Sequence, residues 1–128
     1  AGVRLALPHV KVVAVETPDC NCLHAALAAG EPVPVSPAGV AADALGAKQI
    51  GSLPWSILQG QVESVLVDDA ATMQARQALW DEVQVAVEPS AAVAVAAIRT
   101  GAYVPGPGER AAAIVCGGNV DPSDLVAD

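Results

Sequence analysis

Three short stretches of this chain hold residues able to do chemistry. The first is Cys116-Gly117-Gly118-Asn119, which follows the apolar run at 111–115. A thiol and two glycines at the tip of a strand let a flat or charged ligand come close to the backbone. The same residues also suit a plainer role, with Cys116 a small buried apolar side chain and the glycines a tight turn. The second is Glu88, set between Val85-Ala86-Val87 and the alanine-rich run that opens at Pro89. An isolated buried carboxylate is costly. Glu88 therefore either reaches solvent as the anion of a helix start or borders a polar pocket. The third is Cys20, Cys22 and His24, beside Glu16 and Asp19, a donor set for zinc or copper. One C-x-C-x-H without a second ligand pair falls short of a structural zinc site, and ordinary helix-start residues are the alternative.

Several signatures are missing: G-x-G-x-x-G, G-x-x-x-x-G-K-[ST], H-E-x-x-H and G-x-S-x-G. His9 and His24 have no serine or aspartate pattern that would make a triad, and both read as surface residues. Independent hydrolysis and hydride transfer lose ground accordingly.

The elements that must position these residues follow from periodicity. Residues 1–7 form a helix-like start without a capping side chain, which implies that residues once preceded Ala1. Residues 10–15 are a near-continuous β-branched run suited to a strand buried on both faces. A turn leads to a helix over 23–29 with a glycine stop at Gly30. Residues 31–39 form an extended proline-rich connection, residues 40–48 a short helix, and residues 51–60 an irregular stretch. A second buried strand is expected at 62–67, with Asp68 and Asp69 capping a long helix from Ala70 to about Val83. Pro89 is placed as the first residue of a helix running to Thr100, with Gly101 ending it. Residues 111–116 read as a third buried strand, followed by a short helix opened by Asp121-Pro122. Alternating strand and helix implies an α/β fold with an open, mainly parallel sheet in three layers, made by right-handed crossovers.

Composition limits the partners. The 128 residues are the length of one domain, and 53% of them are hydrophobic but only 2% aromatic. The core is then built of Ala, Val, Leu and Ile, and a stacking platform for single-stranded nucleic acid is a poor guess. The formal net charge of −8 makes contact with nucleic acid or an anionic membrane electrostatically unfavourable. Glycines and prolines break up the longest uncharged stretch, so no apolar helix of about 20 residues is available to span a bilayer. Three cysteines without framework spacing favour free thiols and a cytoplasmic setting.

In order, KVVAVET, LHAALAAGEPV, VAADALGA, VESVLVDDAAT, VAVEPSAAVAVAAI and AIVCGGNVD resemble the C-terminal half of the serine/threonine dehydratases, pyridoxal-phosphate enzymes of fold type II. The resemblance spans essentially the whole chain and makes residues 1–128 one unit, the later part of the cofactor-binding large domain. It implies pyridoxal 5'-phosphate as cofactor, an amino acid such as L-threonine or L-serine as substrate, and a homo-oligomer. By the same resemblance Cys116 faces the pyridine nitrogen, Gly117, Gly118 and Asn119 shape the ring pocket, and Ala44 and Glu88 line it. Relatives usually have glycine at the position of Ala44, so the extra methyl narrows the substrate site. Some relatives bind a divalent cation through the equivalents of Glu16, the backbone carbonyl of Cys20 and an acidic residue at Cys22. A thiol there is a poor donor for magnesium or calcium. The family's cofactor-attaching lysine and its glycine-rich phosphate loop match positions before Ala1, and neither Lys11 nor Lys48 falls at the lysine's place. The isolated chain is therefore expected to be inactive. Two rivals stand beside this reading: a non-catalytic association module, and a metal-binding protein using Cys20, Cys22 and His24.

Overall fold

The computed structural model describes residues 1–118 and 120–126. Its centre is a pair of parallel strands, β1 (Val13–Glu16) and β2 (Glu63–Leu66), in the register Val13↔Glu63 to Glu16↔Leu66. Backbone bonds from Glu63 N to Val12 O and from Val67 N to Glu16 O extend the ladder at both ends. Parallel pairing requires a long crossover. It is supplied by α2 (Cys22–Ala29), α3 (Ala42–Leu45) and α4 (Ser52–Leu58); α1 (Gly2–Ala6) precedes β1 and packs against α4. After β2 come α5 (Asp69–Val83), α6 (Pro89–Thr100) and a 3-10 turn at Pro122–Asp124.

Side chains alternate between the faces of a strand, and that period assigns the layers. Val15 and Val65 pack into the core cluster with Val67, Val87 and α6. Ser64, one position from Val65, accepts or donates a 2.9 Å bond with His24 Nδ1 of α2 on the opposite face. Helices thus cover both faces of the sheet, as the sequence pattern predicts. The α5–α6 contact is built on small residues. Ala75 of α5 and Ala91, Ala92, Ala96 and Ala97 of α6 are all buried, and their spacing puts one stripe of methyls between two closely approaching helix backbones.

Local signals explain the ends. Asp68 caps α5, its carboxylate accepting from Ala71 N at 2.7 Å, which satisfies one of the orphan amides of the first turn. Pro89 is the first residue of α6, and Gly30 and Gly101 close α2 and α6 in the left-handed conformation. Asp121 accepts from Ser123 N at the final turn.

Three expectations fail. Residues 51–60 are not irregular, since Ser52–Leu58 is helical. Pro54 sits in the first turn, where its missing N–H would have had no intrahelical partner, so it does not break the helix. Residues 111–116 are not a buried strand. They form no strand and pair with no other strand among the described residues, and Ile114 is 70% exposed. A cavity of about 180 Å³, lined by Val13 and Val15, by Ala97 and Ile98 of α6, and by residues 111–113, separates the segment from the free edge of β1. β-branched propensity cannot make a strand without a hydrogen-bonded neighbour. His24 also departs from its surface reading, being half-buried by its bond to Ser64. Among the described residues no helix is long and apolar enough to cross a membrane.

Candidate functional site

A cleft of about 230 Å³ lies between the starts of α3 and α6. One wall is Val40, Ala41, Asp43 and Ala44; another is Glu88, Pro89 and Ser90; Val120 closes it. Asp69, three residues past the end of β2, accepts from Val40 N at 3.0 Å and fastens the first wall. The cleft therefore lies on the carboxyl-end side of the strands, where open parallel sheets bind their ligands.

Glu88 is half-buried at the N-terminus of α6. The Ser90 hydroxyl donates to its Oε1 at 2.8 Å, and its backbone N–H donates to Gly117 O at 3.3 Å. This carboxylate stands at a helix start and also borders the cleft. Gly117 has φ +69, and a Cβ there would collide with the Glu88 side chain. Conformation and space together thus favour glycine at this position.

The structure brings Ala44 and Glu88, 44 residues apart in sequence, to one cleft and sets Gly117 against Glu88. Gly118 is exposed with nothing within 4 Å of a built Cβ. Cys116 is exposed, with a free thiol, and is not among the residues lining the cleft. Asn119 lies outside the described residues. Asp43 and Ser90, which also line the cleft, fall inside VAADALGA and EPSAA, and their one signal in the sequence is their place beside Ala44 and Glu88.

Several of the possible metal donors have hydrogen-bond partners within the chain. Glu16 spends both carboxylate oxygens on the start of α2, accepting from Leu23 N at 3.1 Å and His24 N at 2.7 Å. It caps that helix from the end of β1, an anion at the positive end of the dipole. Cys20 is fully buried and its Sγ donates to Ala38 O at 3.1 Å. Burial pushes the Cys22 thiol up, and the nearby Glu16 charge adds to this. Among the described residues no group of three His, Cys, Asp or Glu is placed to hold a metal ion. Lys11 pairs with Glu63 at 2.7 Å and lies 4.8 Å from the centre of the Tyr103 ring.

A parallel sheet covered by helices, with a cleft at the strand ends, defines an α/β domain of the open-sheet class. Comparison with known proteins makes the class specific: residues 1–117 match the model of the family described as pyridoxal-phosphate dependent enzyme, and the chain belongs to that family. Among its relatives, the biosynthetic L-threonine dehydratase of Salmonella typhimurium is 34% identical over 93% of this chain and 24% of its own length. The human serine dehydratase-like protein is 32% identical over 87% of the chain and 36% of its length. A fungal L-serine ammonia-lyase from Rhizomucor miehei superposes with a TM-score of 0.71 at 29% identity, over 78% of this chain and 34% of that one. The chain thus spans only 24% to 36% of the length of these three relatives.

The cleft residues fit part of such a cofactor. Ala44, Val40 and Val120 offer apolar surface for the flat faces of a heteroaromatic ring, while Glu88 and Ser90 offer polar groups at its edge. The missing side chain of Gly117 leaves room for the Glu88 side chain to lie against the loop.

Proposed function

We propose that this chain is the later part of the cofactor-binding domain of a serine/threonine dehydratase, which deaminates L-threonine or L-serine to a 2-oxo acid and ammonia. The observation that carries this is the meeting of Ala44 and Glu88 in one cleft, beside the glycine loop that follows Cys116. Pyridoxal phosphate, when bound, supplies an electron-withdrawing ring that makes the α-proton of an amino acid acidic.

The chain's own residues then have separable roles. Gly117, Gly118 and Asn119 shape the ring pocket, with the loop tied to α6 by the Glu88 N–H to Gly117 O bond. The Ser90 hydroxyl bonded to Oε1 holds the Glu88 carboxylate in one orientation at the edge. Ala44 adds a methyl to the opposite wall and narrows the space left for substrate. Cys116 is the residue we assign to the ring nitrogen. A neutral thiol does little to stabilise a proton there, whereas a carboxylate would hold one. That tuning suits loss of a β-hydroxyl, which asks for only brief charge storage. Proton abstraction falls to a lysine outside this sequence, so this chain alone binds the cofactor weakly and is inactive. Three free cysteines fit a reducing cytoplasm.

A coupled assay for 2-oxo acid on L-threonine and L-serine tests the reading. It compares this chain with the longest natural polypeptide that carries it. Turnover is expected from the longer polypeptide alone. Turnover of neither amino acid by that polypeptide, with pyridoxal phosphate present, would overturn it. The association-module reading draws on the exposed Leu5, Leu53 and Ile114, at 65%, 70% and 70%; it predicts a stable self-associated species of this chain and no activity from either polypeptide. The dehydratase reading also expects a homo-oligomer, formed by the longer polypeptide.

A further inference from the structure

We propose that α5, which does not line the cleft, positions all its walls, with Arg76 as the principal positioning residue; this rests on the cleft being the cofactor's ring site. Arg76 is 2% exposed, midway along α5. Its Nε donates to Val87 O at 2.7 Å, the carbonyl immediately before Glu88. Its two terminal nitrogens donate to the two oxygens of Asp124, at 2.7 and 2.9 Å. One planar guanidinium therefore holds the strand of chain entering α6 and the turn that follows the Cys116 loop.

The neighbouring side chains repeat the pattern. Gln77 Nε2 donates to Leu125 O at 3.2 Å, and Leu125 is itself 3% exposed. At the start of the same helix Asp69 holds Val40 N. Wall one is thus fastened by Asp69, wall two by Arg76 through Val87, and the closing segment by Arg76 and Gln77 through Asp124 and Leu125. Gly117 is held by the bond from Glu88 N–H to its carbonyl, and the turn at Pro122–Asp124 by the Asp124 pair.

The arrangement is asymmetric in a useful way. The Arg76 side chain is 3% exposed and that of Asp124 61%, so Asp124 can be changed without opening the core. A planar, bidentate donor also fixes direction as well as distance, which a lysine cannot do. Removing the carboxylate leaves the guanidinium with the Val87 carbonyl alone.

The test compares wild type, Asp124→Ala and Asp124→Glu in the longest natural polypeptide carrying this chain. Hydrogen exchange is followed by mass spectrometry, and affinity by a spectral titration with pyridoxal phosphate. Asp124→Ala is expected to speed exchange at 117–126 at least tenfold, to leave β1 and α2 unchanged, and to weaken cofactor affinity severalfold. Asp124→Glu should recover part of both. Unchanged exchange at 117–126 would overturn the proposal, as would an equal rise across the whole chain, which marks a general stabiliser. Faster local exchange with unaltered cofactor affinity would overturn the positioning role. If wild type fails to bind pyridoxal phosphate, the ring-site reading falls, while the exchange pattern still decides whether Arg76 holds the walls.

Discussion

Replacing Gly117 by alanine isolates the feature on which the cleft's rim depends. The backbone there holds φ +69, a conformation that costs an L-residue about 1 kcal/mol more than glycine. The new methyl would also meet Cγ and Cδ of Glu88, atoms near the backbone that cannot move without turning the whole side chain. Glu88 must then give up the 2.8 Å hydrogen bond from Ser90, worth about 1 kcal/mol. The sum, about 2 kcal/mol, corresponds to a shift of about 30-fold in the folding equilibrium. Gly118→Ala is the internal control, since Gly118 is not among the glycines with positive φ and has nothing within 4 Å of a built Cβ. It should change stability by less than about 0.5 kcal/mol. Urea denaturation of both variants and wild type, followed by circular dichroism, gives the two differences directly. Gly117→Ala within 0.5 kcal/mol of wild type, or Gly118→Ala losing as much as Gly117→Ala, would refute the reasoning; the threshold is about the size of an ordinary surface substitution.

Three further outcomes are expected. Ala96→Leu inserts three carbons into the fully buried stripe between α5 and α6 and should cost about 1–3 kcal/mol in denaturant unfolding; an unchanged midpoint would mean the helices are not in close contact there. Thiol labelling of this chain with iodoacetamide should modify Cys116 first, Cys22 more slowly because burial and Glu16 push its thiol up, and Cys20 only after unfolding; mass spectrometry of the labelled peptides gives the order. The Arg76 guanidinium holds the Asp124 carboxyl below its ordinary value of 3.8. A lowered carboxyl binds its proton later in the folded state, so the pair's stabilisation is complete above about pH 4 and is lost as pH falls through the folded value. Denaturation midpoints of wild type and Asp124→Asn should accordingly differ at pH 6 and converge at the acid end.

The difference between what was legible in the chain and what was not follows the range of the interactions. Sequence alone determined the features that neighbouring residues decide: the β-branched strands around Val15 and Val65, the cap at Asp68, Pro89 as a helix opener, and the stops at Gly30 and Gly101. It also carried the family, because EPSAA and CGGNVD are local motifs. Only the tertiary structure could decide what depends on a distant partner. Residues 111–116 have strand chemistry but no hydrogen-bonded neighbour among the described residues, so propensity alone misread them. The bonds from the start of α2 to both oxygens of Glu16 could not be read from the sequence, because they join residues of two different elements. Arg76 gave no signal at all, because its partner Asp124 lies 48 residues away and a buried guanidinium is explained only by the groups that surround it. Short-range backbone preferences are written in adjacent residues, whereas burial and pairing are properties of a surface that exists only once the chain has folded.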